Sequence, residues 1–372
     1  MVATREATAA TATTASASST KVKRPGPTLL PTSVVGSYAL PSWFWTAVEA
    51  IREGKYGQTD VRETFDDAVN MAVRDQERAG IDVLTDGEMR RWYFVQGFYD
   101  SFTGLESLPP LRTQGVYGYD SPPRYRVMEK VTCPKGLGIA DEWEYVRHQT
   151  DRAVKMTCPG PLTLTIHMQV RAGDAYNGDR VALAHDVAAI VNRELHALVD
   201  AGVTCIQLDE PSYSIIPGET AEWVALYNAA VRGVRERGVR LGLHVCFGNL
   251  SSRPRGKRRY GWMFPGLLDA ECDELVLEFA NREMVEVELL REVAQVKDVG
   301  AGLVDVKSFW VEPAEEVAER IREVLKHVPA EKLTVLPDCG FFQLPRWLAF
   351  QKLQRLVEGT RIVRRELGGS SG

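Results

Sequence analysis

Short apolar runs alternate, from Leu30 onward, with longer segments in which apolar residues recur every three to four positions. The short runs are rich in β-branched residues and apolar at nearly every position, which is typical of parallel strands covered on both faces. The longer segments have the spacing of amphipathic helices. The runs predict eight strands, at residues 33–38, 82–85, 154–158, 204–208, 240–245, 274–279, 301–306 and 333–336. Helices are predicted between them, at residues 65–79, 183–201, 221–237, 313–327 and 344–367.

Eight strand-then-helix units predict an α/β protein built as a closed (β/α)8, or TIM, barrel rather than an open sheet. The connection between the second and third strands is much longer than the others and contains many aromatic residues, prolines and glycines, such as Tyr117 and Pro122. Such a length predicts an elaborated insertion at this point, with a hairpin or lid of its own. Residues 41–59 form a smaller insertion that contains Trp43 and Trp45.

Composition and charge restrict the domain organisation and the partners. The chain has 372 residues, of which 44% are apolar and 26% charged, and this suits one large barrel over residues 29–367. Residues 1–20 are almost entirely Ala, Thr and Ser, so residues 1–28 are predicted to be a disordered low-complexity tail, with a targeting segment as the alternative. Residues 368–372 are predicted to be a second flexible tail.

The net charge of −5 gives no reason to expect a nucleic acid as a partner. No apolar run reaches the roughly 20 residues that cross a bilayer, so no membrane association is predicted. The six cysteines are spread through the chain, as in proteins of a reducing compartment, and this predicts a cytoplasmic location.

Candidate ligands for a metal ion lie at the ends of three predicted strands. His244 and Cys246 close the fifth strand, Glu278 closes the sixth and Cys339 follows the eighth. Active-site groups of barrels sit at these strand ends, and a His-x-Cys pair on a strand points both side chains the same way. An imidazole, two thiolates and an exchangeable carboxylate suit Zn²⁺, which keeps a bound thiol deprotonated and nucleophilic. The alternatives are ordinary buried cysteines, a core histidine, and a glutamate paired with a cation.

Six short motifs stand at the ends of predicted strands. They are Val35-Gly36-Ser37-Tyr38, Asp86-Gly87-Glu88, Pro159-Gly160-Pro161-Leu162-Thr163, Ile206-Gln207-Leu208-Asp209-Glu210-Pro211, His244-Val245-Cys246 and Pro337-Asp338-Cys339-Gly340. Together they resemble the motifs of one family, the cobalamin-independent methionine synthases. The resemblance is to the catalytic C-terminal barrel, and most closely to the short single-barrel members, over about residues 30–367. It implies that the four candidate ligands take the family's zinc-ligand positions.

The same resemblance implies a binding site for homocysteine. The backbone at Gly36 and Ser37 matches the region that holds the substrate carboxylate. Glu88 and Asp209 match the acids that hold its amino group, and Glu210 is assigned to the same substrate site. The residue types agree with these roles, because two acids at neighbouring strand ends suit an ammonium group.

Three departures from the family concern the methyl donor. Only a tail precedes this barrel, where the full-length enzymes have a second barrel that helps to bind the polyglutamyl folate. His167 stands where the family has a tryptophan for the pterin, and Lys307 stands where it has a histidine proposed as the proton donor. Both are therefore candidate catalytic residues, with the alternatives that His167 is merely polar and that Lys307 pairs with Asp305. The departures favour methylcobalamin or a corrinoid protein over methyltetrahydrofolate as the donor.

The sequence thus predicts a zinc-dependent S-methyltransferase that converts homocysteine to methionine. One alternative is a zinc alkyltransferase that acts on another thiol, like the epoxyalkane:coenzyme M transferases of the same superfamily. The sulfonate of that thiol would favour cations such as Arg90, Arg91 and Lys307, and the two arginines would otherwise pair with Glu88 and Asp209. An alternative of another class is a non-catalytic zinc barrel that binds a corrinoid protein.

Overall fold

The structure is a computed structural model, and it describes residues 25–27, 29–91, 94–110, 123–249 and 256–368. Most of the predicted tail over residues 1–28, and all but Gly368 of the predicted tail over residues 368–372, lie outside these ranges. Tyr117 and Pro122 of the insertion also lie outside them.

The described residues form short strands and longer helices in alternation. The strands are β1 Val83–Leu84, β2 Thr103–Leu108, β3 Arg124–Thr132, β4 Ala153–Val154, β5 Met156–Pro159, β6 Met168–Gln169, β7 Cys205–Asp209, β8 Arg240–Val245, β9 Glu274–Glu278, β10 Asp298–Val304 and β11 Leu333–Pro337. The helices are α1 Ser42–Arg52, α2 Gln58–Ala79, α3 Ile139–Val146, α4 Pro161–Leu164, α5 Arg180–Asp200, α6 Thr220–Val231, α7 Leu290–Val296, α8 Ala314–Leu325 and α9 Arg346–Glu366. In the described part of the chain, none of these helices combines the length and apolar character that a membrane span requires.

The strands follow one another around a barrel. Six parallel strands lie in the order β11-β10-β9-β8-β7-β5, and β1 pairs in parallel with β4, which is separated from β5 only by Lys155. Parallel bridges from Thr32 to Val335 and from Ser33 to Val83 join β11 to β1. The first predicted strand, at residues 33–38, is therefore reduced to these two bridges. Beyond them the chain runs on between the segments that follow β1 and β11, since the N–H of Tyr38 donates to the carbonyl of Gly87 and the carbonyl of Ser37 accepts a hydrogen bond from the backbone of Phe341.

Strand β8 shows how the residue pattern positions the candidate site. Leu241, Leu243 and Val245 belong to the main hydrophobic core that the surrounding helices share. Because side chains alternate along a strand, His244 takes the opposite face, towards the barrel interior. Cys246, directly after the strand, continues on the face of His244.

The insertion has secondary structure of its own, as its length predicted. Strands β2 and β3 pair antiparallel, and β6 pairs in parallel with β3. The carboxylate of Glu194 on α5 accepts hydrogen bonds from the backbone N–H groups of Leu137, Ile139 and Ala140, at 2.7, 2.7 and 3.1 Å. These bonds attach the start of α3 to the barrel. The smaller insertion at residues 41–59 contains α1, and the helix predicted at residues 221–237 already ends at Val231.

Candidate metal centre and substrate site

Three of the four candidate ligands converge at the C-terminal ends of the strands. His244, Cys246 and Cys339 each offer a donor atom, and the three atoms lie within 4.8 Å of one another. The Sγ atoms of Cys246 and Cys339 are 3.7 Å apart. Two sulfur atoms at about 2.3 Å from a tetrahedral zinc ion stand about 3.8 Å apart, so the observed separation fits such an ion.

His244 is oriented for metal binding by a carboxylate. Its Nδ1 lies 2.9 Å from Oδ1 of Asp209, the last residue of the neighbouring strand β7. Its Nε2 is buried and has no hydrogen-bond partner among the described residues. A hydrogen bond from Nδ1 to a carboxylate fixes the tautomer in which Nε2 carries the free lone pair, which is the form that binds a metal.

The two cysteine side chains are hydrogen-bonded to each other. This hydrogen bond with Cys246 lowers the pKa of the Cys339 thiol to about 7, although its burial acts in the opposite direction. The same hydrogen bond, together with burial, raises the pKa of Cys246. Cys339 is therefore the thiol that loses its proton more easily, whereas Cys246 would need the charge of a metal ion to do so.

Glu278 lies beside this cluster but is not one of its three members. Its Oε2 accepts a hydrogen bond from Nζ of Lys307 at 2.7 Å, and its Oε1 is buried without a partner in the part of the chain that the structure describes. The carboxylate is thus paired with a cation through one oxygen only. The backbone N–H of Lys307 donates to Asp305, but the ammonium group points to Glu278 instead of pairing with that aspartate.

Glu88 contacts Thr157 of β5 and occupies the space beside Gly36, where a side chain at residue 36 would not fit. Its Oε1 accepts a hydrogen bond from Oγ1 of Thr157 at 2.7 Å, and a Cβ atom added to Gly36 would lie 2.3 Å from that Oε1. Burial raises the pKa of Glu88 to about 8, the guanidinium of Arg91 counteracts this, and the nearby carboxylate of Asp209 adds to it. Glu88 and Asp209 are therefore close enough to interact through their charges.

Two buried aspartates of the site, Asp209 and Asp86, each leave one carboxylate oxygen without a hydrogen-bond partner among the described residues. Asp209 accepts from His244 and from Nε2 of Gln207 through Oδ1, but its Oδ2 is buried and has no partner among the described residues. Oδ2 of Asp86, two residues before Glu88, is also buried without a partner among the described residues. Buried carboxylate oxygens without donors are rare in proteins, so this arrangement suits a cationic ligand.

Ser37 connects the substrate residues to the metal cluster. A Cβ atom added to Gly340 would lie 2.0 Å from Oγ of Ser37, so the serine packs directly against the residue that follows Cys339. The backbone of Gly36 and Ser37 therefore reaches the mouth of the barrel beside the cluster.

Two of the predicted site residues have other surroundings. The carboxylate of Glu210 accepts hydrogen bonds from the backbone N–H groups of Leu162 and Thr163, both at 3.0 Å, and from the Thr163 hydroxyl at 2.7 Å. Both oxygens of Glu210 are thereby used to hold the first turn of α4, and we correct its assignment from substrate binding to this structural role.

His167 lies at the insertion. Its ring contacts that of Tyr99 edge to face, with centroids 6.1 Å apart, and it lines a cleft of about 450 Å³ together with Arg124 and Arg180. Burial lowers its pKa to about 4. None of the contacts found between described residues joins His167 to the metal cluster, so the structure does not support its assignment as a catalytic acid.

Two further residues, Arg91 and Asp338, organise the site through contacts that the sequence did not predict. Arg91 is buried, forms an ion pair with Glu142 at 2.6 Å and donates to Oγ1 of Thr157, the residue that contacts Glu88. Asp338 accepts hydrogen bonds from the backbone N–H groups that follow Glu278, at residues 279 to 281. Asp338 belongs to the strand-end motif Pro337-Asp338-Cys339-Gly340, and this position could have indicated its importance. The partner of Arg91, Glu142, is 51 residues away in sequence, so no short motif connects the two.

Comparisons with known proteins identify the family of this chain. A family model described as the catalytic domain of cobalamin-independent synthase matches residues 30–361. The chain belongs to this family. It is 34% identical to the methionine synthase of Saccharolobus solfataricus over 341 residues, which are 91% of this chain and 96% of that protein. It is 35% identical to the methionine synthase of Sulfolobus acidocaldarius over 342 residues, which are 91% and 94% of the two chains.

Solved structures of other proteins have the same fold as this chain. A B12-independent methionine synthase from Shewanella sp. W3-18-1, solved in complex with selenomethionine, superposes with a TM-score of 0.76. It is 29% identical, and the match covers 91% of this chain and 99% of that one. A methyltransferase from Methanosarcina mazei, 13% identical, matches with a TM-score of 0.58 over 90% of this chain and 94% of that one, and this supports the fold alone. The predicted family and the predicted barrel are thus confirmed.

Proposed function

We propose that this protein is a zinc-dependent S-methyltransferase that converts homocysteine to methionine. The observation that carries the proposal is the convergence of His244, Cys246 and Cys339 beside two buried acids, Glu88 and Asp209. Its relatives of similar length are methionine synthases, and the Shewanella relative was solved with the selenium analogue of methionine. Homocysteine has a thiol, which a metal ion would bind, and an amino group, which the two acids would bind.

His244, through Nε2, and the two cysteines would hold the zinc ion. Glu278 would be the fourth ligand through its free Oε1, and it would give up this place to the thiol of the substrate. Zinc, when bound, supplies a positive charge that keeps a thiol ionised at neutral pH and still nucleophilic. The site fits zinc, because a sulfur-rich set of four donors is typical of this metal.

The remaining residues would orient homocysteine. Asp209 would act twice, since its Oδ1 holds His244 and its Oδ2 is free to accept from the substrate ammonium. Glu88, whose pKa is raised to about 8 by burial, would ionise fully once that ammonium is beside it. The backbone at Gly36 and Ser37 would contact the substrate carboxylate at the opposite side.

For the methyl donor we propose a methylated folate. The expectation of methylcobalamin or a corrinoid protein depended on His167 and Lys307. His167 contacts the insertion instead of the cluster, and Lys307 is the partner of Glu278, so neither residue argues for a corrinoid. The description of the family as cobalamin-independent favours the folate.

The metal assignment is tested by zinc analysis of purified variants. The wild-type protein should carry about one zinc ion per chain, as a single tetrahedral site predicts. Cys246→Ser and Cys339→Ser should lose most of it. Cys272→Ser is the matched control, because Cys272 is also buried but lies before β9, at the other end of the barrel. Zinc retained by both site variants would contradict the assignment.

The reaction is tested by incubating the zinc-loaded protein with each combination of thiol and methyl donor. We expect methionine from homocysteine and methyltetrahydrofolate. Transfer from methylcobalamin alone would overturn the proposed donor. Alkylation of coenzyme M without any methionine would favour the other thiol alkyltransferase, and zinc binding without transfer of any kind would favour the non-catalytic barrel.

A further inference from the structure

Lys307 and Glu278 form an ion pair that is almost completely removed from water. The side chains are 1% and 0% exposed, and Nζ lies 2.7 Å from Oε2. Burying two charges is unfavourable unless their geometry and hydrogen bonds compensate, so a pair of this kind is weak evidence for stability. Its position beside the candidate metal ligands suggests a role in the site.

Hydrogen bonds between aspartate side chains and backbone N–H groups fix the two loops that carry the pair. The N–H of Lys307 donates to Asp305 at 2.7 Å, which fixes the loop after β10. Asp338 accepts from the three N–H groups that follow Glu278 and thereby fixes the turn after β9. Neither Asp305 nor Asp338 takes the ammonium of Lys307 as a hydrogen-bond donor among the described residues, since that group donates to Glu278.

The two oxygens of Glu278 consequently differ. Oε2 faces the ammonium, whereas Oε1 is buried and lacks a partner in the described structure. A carboxylate that already shares its charge with a cation is a weaker metal ligand than a free one, because part of its negative charge is compensated. If such a ligand leaves the metal, it does not become an isolated buried charge.

We infer that Lys307 is a positioning residue that makes Glu278 an exchangeable ligand. This inference rests on the proposed function. Lys307 holds Oε2, presents Oε1 to the metal, and serves as the counter-ion of the carboxylate once the substrate thiol has taken its place. The exchange is a substitution without oxidation or reduction, in which the thiol binds as its anion and its proton passes to solvent. Without Lys307 the displaced carboxylate would be buried without a counter-ion, so Glu278 would stay on the metal.

The test is Lys307→Met, which keeps an unbranched side chain of similar length and removes its charge. Two quantities are measured, the rate of zinc loss to a chelator without substrate and the equilibrium affinity for homocysteine. We expect slower zinc loss and an affinity for homocysteine that falls by about tenfold or more, because the displaced carboxylate would be left buried without a counter-ion. Lys307→Arg, which keeps the charge, should recover most of the affinity.

Lys297→Met is the matched control. Lys297 is also buried, but it immediately precedes β10, at the opposite end of that strand from Lys307, and donates to the backbone carbonyls of Ala270 and Cys272. It should reduce stability without changing either quantity. A merely structural role for Lys307 would make the two variants alike.

Several results would overturn the inference. Unchanged homocysteine affinity in zinc-loaded Lys307→Met would overturn the role of Lys307 alone, whereas a wild-type protein that binds neither zinc nor homocysteine would overturn the proposed function as well. If Lys307→Met does not fold, Glu278→Gln carries the test, because a neutral amide is a poor ligand and needs no counter-ion. It should lose zinc faster and still bind homocysteine, and unchanged zinc loss would refute the inference.

Discussion

Replacing Asp209 by Asn exchanges one buried oxygen for an amide group and removes one negative charge. Oδ1 of Asp209 receives two hydrogen bonds, from His244 at 2.9 Å and from Gln207 at 2.7 Å. The asparagine oxygen can still accept both, but as a neutral group. Its amide nitrogen takes the place of Oδ2, which has no partner among the described residues, and there it becomes a buried donor without an acceptor.

The expected effect on zinc affinity follows from these contacts. A hydrogen bond to a charged group contributes about 1.5–3 kcal/mol and a neutral one about 1 kcal/mol, so His244 loses support of roughly 1–2 kcal/mol. Mutations of groups that orient metal ligands typically weaken binding by about 10- to 100-fold. We therefore expect Asp209→Asn to raise the Kd for zinc about tenfold or more, and to weaken homocysteine binding in addition because the amino group loses a carboxylate.

The assay is competition for zinc between the apoprotein and a chromophoric chelator, without substrate, so that the metal is measured separately from homocysteine. Asp298→Asn is the matched control, because Asp298 accepts a hydrogen bond from Arg240 at 2.8 Å at the opposite end of the barrel. Zinc affinity should be unchanged in that variant. An equal zinc affinity of Asp209→Asn and the wild type would refute the assignment of His244 as a ligand oriented by Asp209.

Three further predictions concern the walls of the site. Glu210→Gln should lower the free energy of unfolding in urea by about 2–3 kcal/mol, because one oxygen that holds α4 becomes a donor that faces donors; exposed Glu222→Gln should have almost no effect. Gly36→Ala should weaken homocysteine binding strongly, because its Cβ would lie 2.3 Å from Oε1 of Glu88, whereas Gly242→Ala, whose Cβ would lie 3.5 Å from its nearest neighbour, Cγ of Gln207, should not. Burial raises the pKa of Glu88 to about 8, so the folded apoprotein binds more protons than the unfolded chain between about pH 4.5 and 8. The free energy of unfolding therefore falls as the pH rises through this window, by up to about 1.4 kcal/mol per pH unit. Urea unfolding of Glu88→Gln should show a flatter pH dependence, and an unchanged slope would contradict this.

The barrel and most of the metal site could be predicted from local patterns. Strands such as β8 and β9 are apolar at nearly every position because they are covered on both faces, and that pattern is visible in any window of the chain. The His244-x-Cys246 spacing determines that both side chains share a face, since alternation is a property of the strand itself. The carboxyl ends of parallel strands meet at one mouth, so Cys339 could be expected near them.

Residue partnerships across the barrel could not be predicted in this way. Asp209 and Glu210 are neighbours in sequence and equally acidic, yet one orients His244 and the other holds α4, because adjacent residues at a strand end diverge. Lys307 pairs with a glutamate 29 residues away instead of with nearby Asp305. His167 follows a motif of the site, but its ring packs against Tyr99 of the insertion, 68 residues earlier in the chain.

The sequence by itself determined the alternation of strands and helices, the family, and which imidazole and thiols belong to the site, because these depend on periodicity and short-range spacing. Only the tertiary structure decided which atoms of those residues remain free. Among the described residues, Oε1 of Glu278 and Oδ2 of Asp209 lack partners while the other oxygens of these residues are used, and this depends on the distances to Lys307 after β10 and to His244 on β8. Those distances arise when the strands pack side by side, and no local pattern of residues contains them.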